Sequence, residues 1–151
     1  MPSPGDTRHQ ARERALSLLY EADMKDVDPA VVLEALPAAP DPLAAELVSG
    51  VAAQRARIDE LVGAAAVGWE VDRMAAVDRA VLRIATFELL ARPETPVAVV
   101  IDEAVELAKE YSTDASAGFV NGVLTTVARA VRGETGRPEG QGTDAPGTDE
   151  P

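Results

Sequence analysis

At 151 residues and 46% apolar side chains, the chain is long enough to bury one core and too apolar to be disordered. It has no cysteine, which excludes disulfides, thiolate zinc sites and cysteine nucleophiles and fits a reducing cytoplasm. Its formal charge of -12 argues against a nucleic-acid partner, because a polyanion repels an evenly acidic surface.

The charge is not evenly spread. Between Glu134 and Pro151, Glu134, Glu139, Asp144, Asp149 and Glu150 stand against Arg137 alone. Near the other end Arg8, Arg12 and Arg14 outnumber Glu13, and His9 adds a donor. The chain reads as an acidic body with a small basic start. Ala, Val and Leu dominate its apolar set, and aromatics reach only 3%. Ala and Leu favour helices and the aromatics that favour strands are scarce, so the composition predicts an all-α fold.

The opening MPSPGDTRHQ lacks the apolar stretch of a secretory signal. No apolar run approaches the ~20 residues that span a bilayer, so a cytoplasmic protein without a membrane role is expected. A first helix is predicted from Asp6 or Thr7, either of which can cap it, with Ala11, Ala15, Leu18, Leu19 and Ala22 as its core stripe. A short second helix follows Pro29, with Val32, Leu33 and Leu36 inward. The prolines between Pro37 and Pro42 break the pattern. Asp41 then caps, and Pro42 opens, one long helix carrying Leu43, Leu47, Val51, Ile58, Leu61, Val62 and Ala65 as far as Gly68 and Trp69. Met74 marks a short helical turn.

A strong helix is predicted from Val77 to Ala91, with Val81, Leu82, Ile84, Ala85, Phe87 and Leu89 inward, stopped by Pro93 and Pro96. Another runs from about Val97 to Tyr111 on Ile101, Ala104, Val105 and Ala108. The last runs from about Ala115 to Val131 on Phe119, Val120, Val123, Leu124 and Val127. Gly122 lies inside that pattern, where it would let another helix approach closely. About seven helices in two small sub-bundles are expected over residues 1–132, followed by a disordered acidic Gly/Pro/Thr-rich tail over residues 133–151.

Catalytic patterns are missing. His9 is the single histidine, so a histidine-rich metal site is excluded and no metal is expected. The tail glycines lack the Lys-Ser/Thr of a phosphate loop. The acids Asp102, Glu103, Glu106 and Glu110 read as a solvated helix face. An enzyme is not expected, and neither is a cofactor.

Three segments in order carry a resemblance: RHQARERALSLLYEA from Arg8 to Ala22, VDRAVLRIATFEL from Val77 to Leu89, and IDEAVELAKEYS from Ile101 to Ser112 with FVNGVL from Phe119 to Leu124. Together they resemble the NusB transcription antitermination family over roughly residues 8–131. The resemblance implies two small helical bundles and no catalysis. It implies binding of the single-stranded boxA element of nascent ribosomal RNA leaders together with NusE, a small-subunit ribosomal protein, within an antitermination complex on RNA polymerase.

By the same resemblance, Arg8, His9 and Arg12 match an arginine-rich RNA-binding motif, where arginine can clamp phosphate and stack on a base. A second RNA contact falls at the junction from Tyr111 to Phe119, where both rings could stack on bases. Gln10 and Gly118 stand where basic residues are common, and Ala115 where an acid can occur, which weakens the electrostatic part of RNA binding. Asp78, Arg79, Glu88, Asp102 and Glu103 are the candidates for holding a basic NusE-type partner. The alternative is a protein-binding helical adaptor or homodimer without its own RNA role, in which a dimer could hide the N-terminal arginines. The acidic tail could also compete with RNA for Arg8 and Arg12.

Overall fold

The computed structural model describes residues 4–133, with side chains from residue 7 onward. The tail expected from Gly133 therefore lies, beyond that glycine, outside the described residues. Seven α-helices and a single 3-10 turn, with no strand, make up the described residues. None of the helices is long and apolar enough to cross a membrane.

Helix α1 spans Pro4–Lys25. It starts ahead of the expected caps Asp6 and Thr7, since proline is preorganised for a first helical turn. It ends on Asp26, whose φ of 55° is left-handed. There Val27 N–H donates to Ala22 O at 3.0 Å and Asp26 N–H to Asp23 O at 3.2 Å, the paired bonds that close a helix C-terminus. Helix α2 (Pro29–Glu34) is capped by Asp28, which accepts from Ala30 N at 2.8 Å. Helix α3 (Pro42–Ala53) is capped by Asp41, which accepts from Leu43 N at 2.7 Å.

The long helix expected from Pro42 is in fact two. Gln54, at φ -112° and ψ 21°, separates α3 from α4 (Arg55–Ala65). The bend preserves the hydrogen-bond ladder: Gln54 N–H reaches Gly50 O at 3.0 Å and Ile58 N–H reaches Gln54 O at 2.9 Å. It redirects the chain, because α3 packs on α1, α2 and α5 while α4 packs on α5 and α7. Gly68, at φ +88°, turns the chain towards the 3-10 turn Val71–Arg73. Helices α5 (Ala76–Ala91), α6 (Val97–Tyr111) and α7 (Asp114–Arg132) complete the fold.

Helices α1, α2 and α3 pack together, as do α4, α6 and α7, and α5 touches both groups. One continuous apolar core joins the two. The periodicity of α5 marks one buried face, yet every residue from Ala80 to Leu89 is buried. A central helix is covered on all sides, so its charged side chains must find partners inside. They do: Glu88 meets Arg12 and Arg79 meets Asp23, both on α1, while Arg83 clamps Asp59 of α4 at 2.8 and 2.9 Å. The close helix approach expected at Gly122 is not there, since a Cβ on that residue would meet nothing within 4 Å. It occurs instead at Gly50, where a Cβ would lie 2.2 Å from the Phe87 ring.

Candidate nucleic-acid interface

The start of α1 meets side chains of α6 and of the end of α5. Arg8 is exposed on its first described turns, and Arg12 follows one turn later. The two differ sharply in surroundings. Arg12 is only 3% exposed, and its Nε and Nη2 each donate to Glu88 at 2.8 Å in a two-pronged fork. Nη1 reaches Glu103 at 3.4 Å. Glu88 is 1% exposed. Arg12 and Glu88, expected at an RNA face and a protein face respectively, are thus both enclosed, and each neutralises the other inside the molecule. Two buried charges this close form a unit whose members cannot be removed singly without exposing an unpaired ion to a low dielectric.

His9 lies at the rim of this pair. Its Nδ1 is 2.9 Å from Glu103 Oε1, the oxygen that Arg12 also reaches. Its Nε2 is 3.1 Å from Glu110 Oε1 and 3.6 Å from Glu13 Oε2. Burial alone would lower the His9 pKa, but hydrogen bonds to Glu103 and Glu110 and the charges of Glu103 and Glu13 outweigh it and raise it above 6.5. Tyr111 is half exposed and donates its hydroxyl to Glu13 Oε2 at 2.8 Å, which raises its pKa. Helices α1 and α6 therefore bring Arg12, His9 and Tyr111 together, ringed by Glu13, Glu103 and Glu110.

Phe119 belongs to a neighbouring cluster. It is half-buried and meets Trp69 edge to face, with ring centroids 5.7 Å apart. These two rings, Met74, Asp78 and Ser116 line an open cavity of about 210 Å³. Asp78 is buried; its Oδ2 accepts from Ser116 Oγ at 2.8 Å and its Oδ1 has no hydrogen-bond partner. Arg79 is spent internally on Asp23 and on the carbonyls of Val71, Asp72 and Met74, which staples the 3-10 turn to α5. Of the five residues considered for a protein partner, Asp102 is exposed and Glu103 is half-buried in the His9 network. Sequence reasoning missed Glu13, Glu110 and Trp69. Glu13 carried a signal, its one-turn spacing from His9; Trp69 next to Phe119 carried none, being 50 positions away in sequence.

The NusB family model matches residues 9–129. This chain belongs to the NusB family. The transcription antitermination protein NusB of Acidothermus cellulolyticus is 50% identical over 124 residues, covering 80% of this chain and 86% of the relative. The NusB of Saccharopolyspora erythraea is likewise 50% identical, over 127 residues and the same shares. Among solved structures, T. maritima NusB superposes with a TM-score of 0.75 at 33% identity, covering 85% of this chain and 93% of its own. A crystal structure of antitermination factors NusB and NusE with double-stranded RNA matches at a TM-score of 0.69 and 27% identity, over 82% of this chain and 96% of that one. The NusB fold explains the enclosed α5: it is the helix around which both bundles close.

Proposed function

We propose that this NusB-family chain is a non-catalytic, cytoplasmic transcription antitermination factor. It binds boxA-like single-stranded RNA of nascent ribosomal RNA leaders together with NusE and helps assemble an antitermination complex on RNA polymerase. The observation that carries this reading is the likeness, across most of the chain, to NusB solved with NusE and RNA. The exposed Arg8 supplies a phosphate clamp, and the half-exposed ring of Tyr111, which is hydrogen-bonded to Glu13 of α1, supplies a stacking face. His9 follows Arg8 on α1 and reaches Glu110 next to Tyr111, while Arg12 acts from beneath by fixing the α1 turn that presents Arg8 and His9. Phe119 offers its ring edge through the cavity shared with Trp69. Asp102, exposed on α6, with Glu103 next to it, supplies acidic surface that suits a basic partner, with Asp78 and Arg79 as further candidates held within the fold.

Replacing Arg8 with Ala is expected to weaken boxA binding and lower the slope of log affinity against log salt by about one. Replacing Tyr111 with Ala is expected to cost about 1–3 kcal/mol of binding with little change in that slope. Fluorescence anisotropy across a salt series separates the two; unchanged affinity in both variants would remove this face from the RNA site.

A specific observation favours a second reading. Glu13, Glu103 and Glu110 surround the basic start of α1, which fits a protein-binding adaptor or homodimer without an RNA role. Sedimentation with and without boxA RNA separates the readings. A self-associated species that RNA leaves intact supports the adaptor, and conversion to an RNA complex supports the antitermination factor.

A further inference from the structure

The single imidazole of the chain is held in a way that its part in RNA binding does not require. Its Nδ1, 2.9 Å from Glu103 Oε1, can donate only if it carries the ring proton. That tautomer turns the Nε2 lone pair towards two carboxylates, Glu110 at 3.1 Å and Glu13 at 3.6 Å. The Nε2 and the two carboxylate oxygens lie within 4.8 Å of one another, and either a second ring proton or a metal ion among them balances the carboxylate charge. A tetrahedral ion with bonds of roughly 2.0–2.1 Å spaces its ligand atoms about 3.3 Å apart, which is the spacing around Nε2.

We propose that His9 Nε2, Glu13 and Glu110 form a binding site for a divalent first-row transition ion of the Zn²⁺ class. Imidazole with carboxylate oxygens suits such ions and disfavours Mg²⁺, which prefers oxygen alone. His9 and Glu13 lie one turn apart on α1, and Glu110 comes from the last turn of α6, so the ion clips two helices together. The supporting groups are in place. Glu103 holds the far ring nitrogen, and the Tyr111 hydroxyl holds Glu13 Oε2 at 2.8 Å, as ligating imidazoles and carboxylates are commonly held by their neighbours. Arg12, locked to Glu88 between His9 and Glu13 in sequence, keeps the α1 turn from moving. The ligand side chains are 23%, 28% and 42% exposed, which leaves the remaining coordination positions to water. The absence of a histidine-rich motif does not weigh against this site, because carboxylates supply two of its three ligands. The ion would also offset two carboxylate charges next to Tyr111.

A proton on Nε2 satisfies the same geometry, so the test sets zinc against it. The full chain, free of any histidine tag, is labelled with ¹⁵N and titrated with Zn²⁺ alone at about pH 8, where protons compete weakly. The one imidazole then reports directly. The expected result is a bound-state imidazole spectrum that saturates at one ion per chain, reverses with a chelator and is not produced by Mg²⁺. Glu13→Gln and Glu110→Gln, both at partly exposed positions, are each expected to weaken zinc binding roughly tenfold or more, and Glu103→Gln by about 10–100-fold. An imidazole spectrum unchanged at excess zinc would overturn the proposal, as would equal zinc affinity in a Glu13→Gln/Glu110→Gln variant whose amide spectrum shows the native fold.

Discussion

The guanidinium of Arg12 closes on Glu88 where neither residue reaches water, so each charge depends on the other. Truncating one of them strands the second in the core. Arg12→Ala and Glu88→Ala are each expected to lower unfolding stability by about 3–5 kcal/mol, measured by urea denaturation. An Arg12→Met/Glu88→Leu pair should recover most of that loss, because it removes both charges together. Stability unchanged in the single variants would mean that the pair is solvated. The sequence could not reveal this contact. The partners are 76 positions apart, and an arginine in a basic opening segment looks like a surface residue. His9 was readable as a donor and Glu13 as its neighbour one turn on, but not the two carboxylates that arrive from α6. In chelated protein its raised pKa has a definite sign. The folded state binds the proton more tightly than the unfolded chain, so the added stability is fully present below about 6.5 and is lost as pH rises through the folded pKa. Replacing His9 with Gln should therefore flatten the pH dependence of Tm in that window; an identical profile would show that His9 does not contribute.

Among the helices, two glycines make opposite predictions. Gly50 sits where α3 crosses α5, with the Phe87 ring in the space a methyl group would need. Gly50→Ala is expected to destabilise the fold by about 1–3 kcal/mol through overpacking. Gly122 is exposed inside α7 with open space around it. Gly122→Ala is expected to stabilise by up to about 1 kcal/mol through helix propensity alone. Thermal melts of the two variants should move in opposite directions, and a shared direction would contradict the packing described. Most helices were legible because apolar residues recur at three and four, and because Asp28, Asp41 and the prolines mark boundaries by local chemistry. The break at Gln54 was not legible, since the apolar stripe continues through it and only the change of neighbour from α1 to α7 demands a bend. Nor was the full enclosure of α5, because Arg83 and Glu88 read as solvent-facing until α4 and α1 are seen to supply their counter-charges.

For the whole molecule, the small basic start must act on an acidic body of net charge -12. Only part of that start faces outward: Arg8 is exposed, Arg12 is enclosed, and His9 is ringed by carboxylates. RNA binding by such a chain is expected to be weak alone and to gain strongly from a basic partner that shares the same RNA. The acids from Glu134 onward lie outside the described residues, yet their charge opposes RNA at any position. A chain ending at Gly133 is expected to bind boxA more tightly at low salt, with the gain fading as salt screens it. The fold itself was readable from composition and pattern. The expected dependence on a partner was readable too, from the net charge and the few basic residues; the enclosure of Arg12, which sharpens it, was not. The most direct measurement is the affinity of the full chain for boxA RNA at one fixed salt concentration, with and without saturating NusE. The account predicts binding at least tenfold tighter with NusE, roughly 1.4 kcal/mol or more. Equal affinity in the two titrations would contradict it.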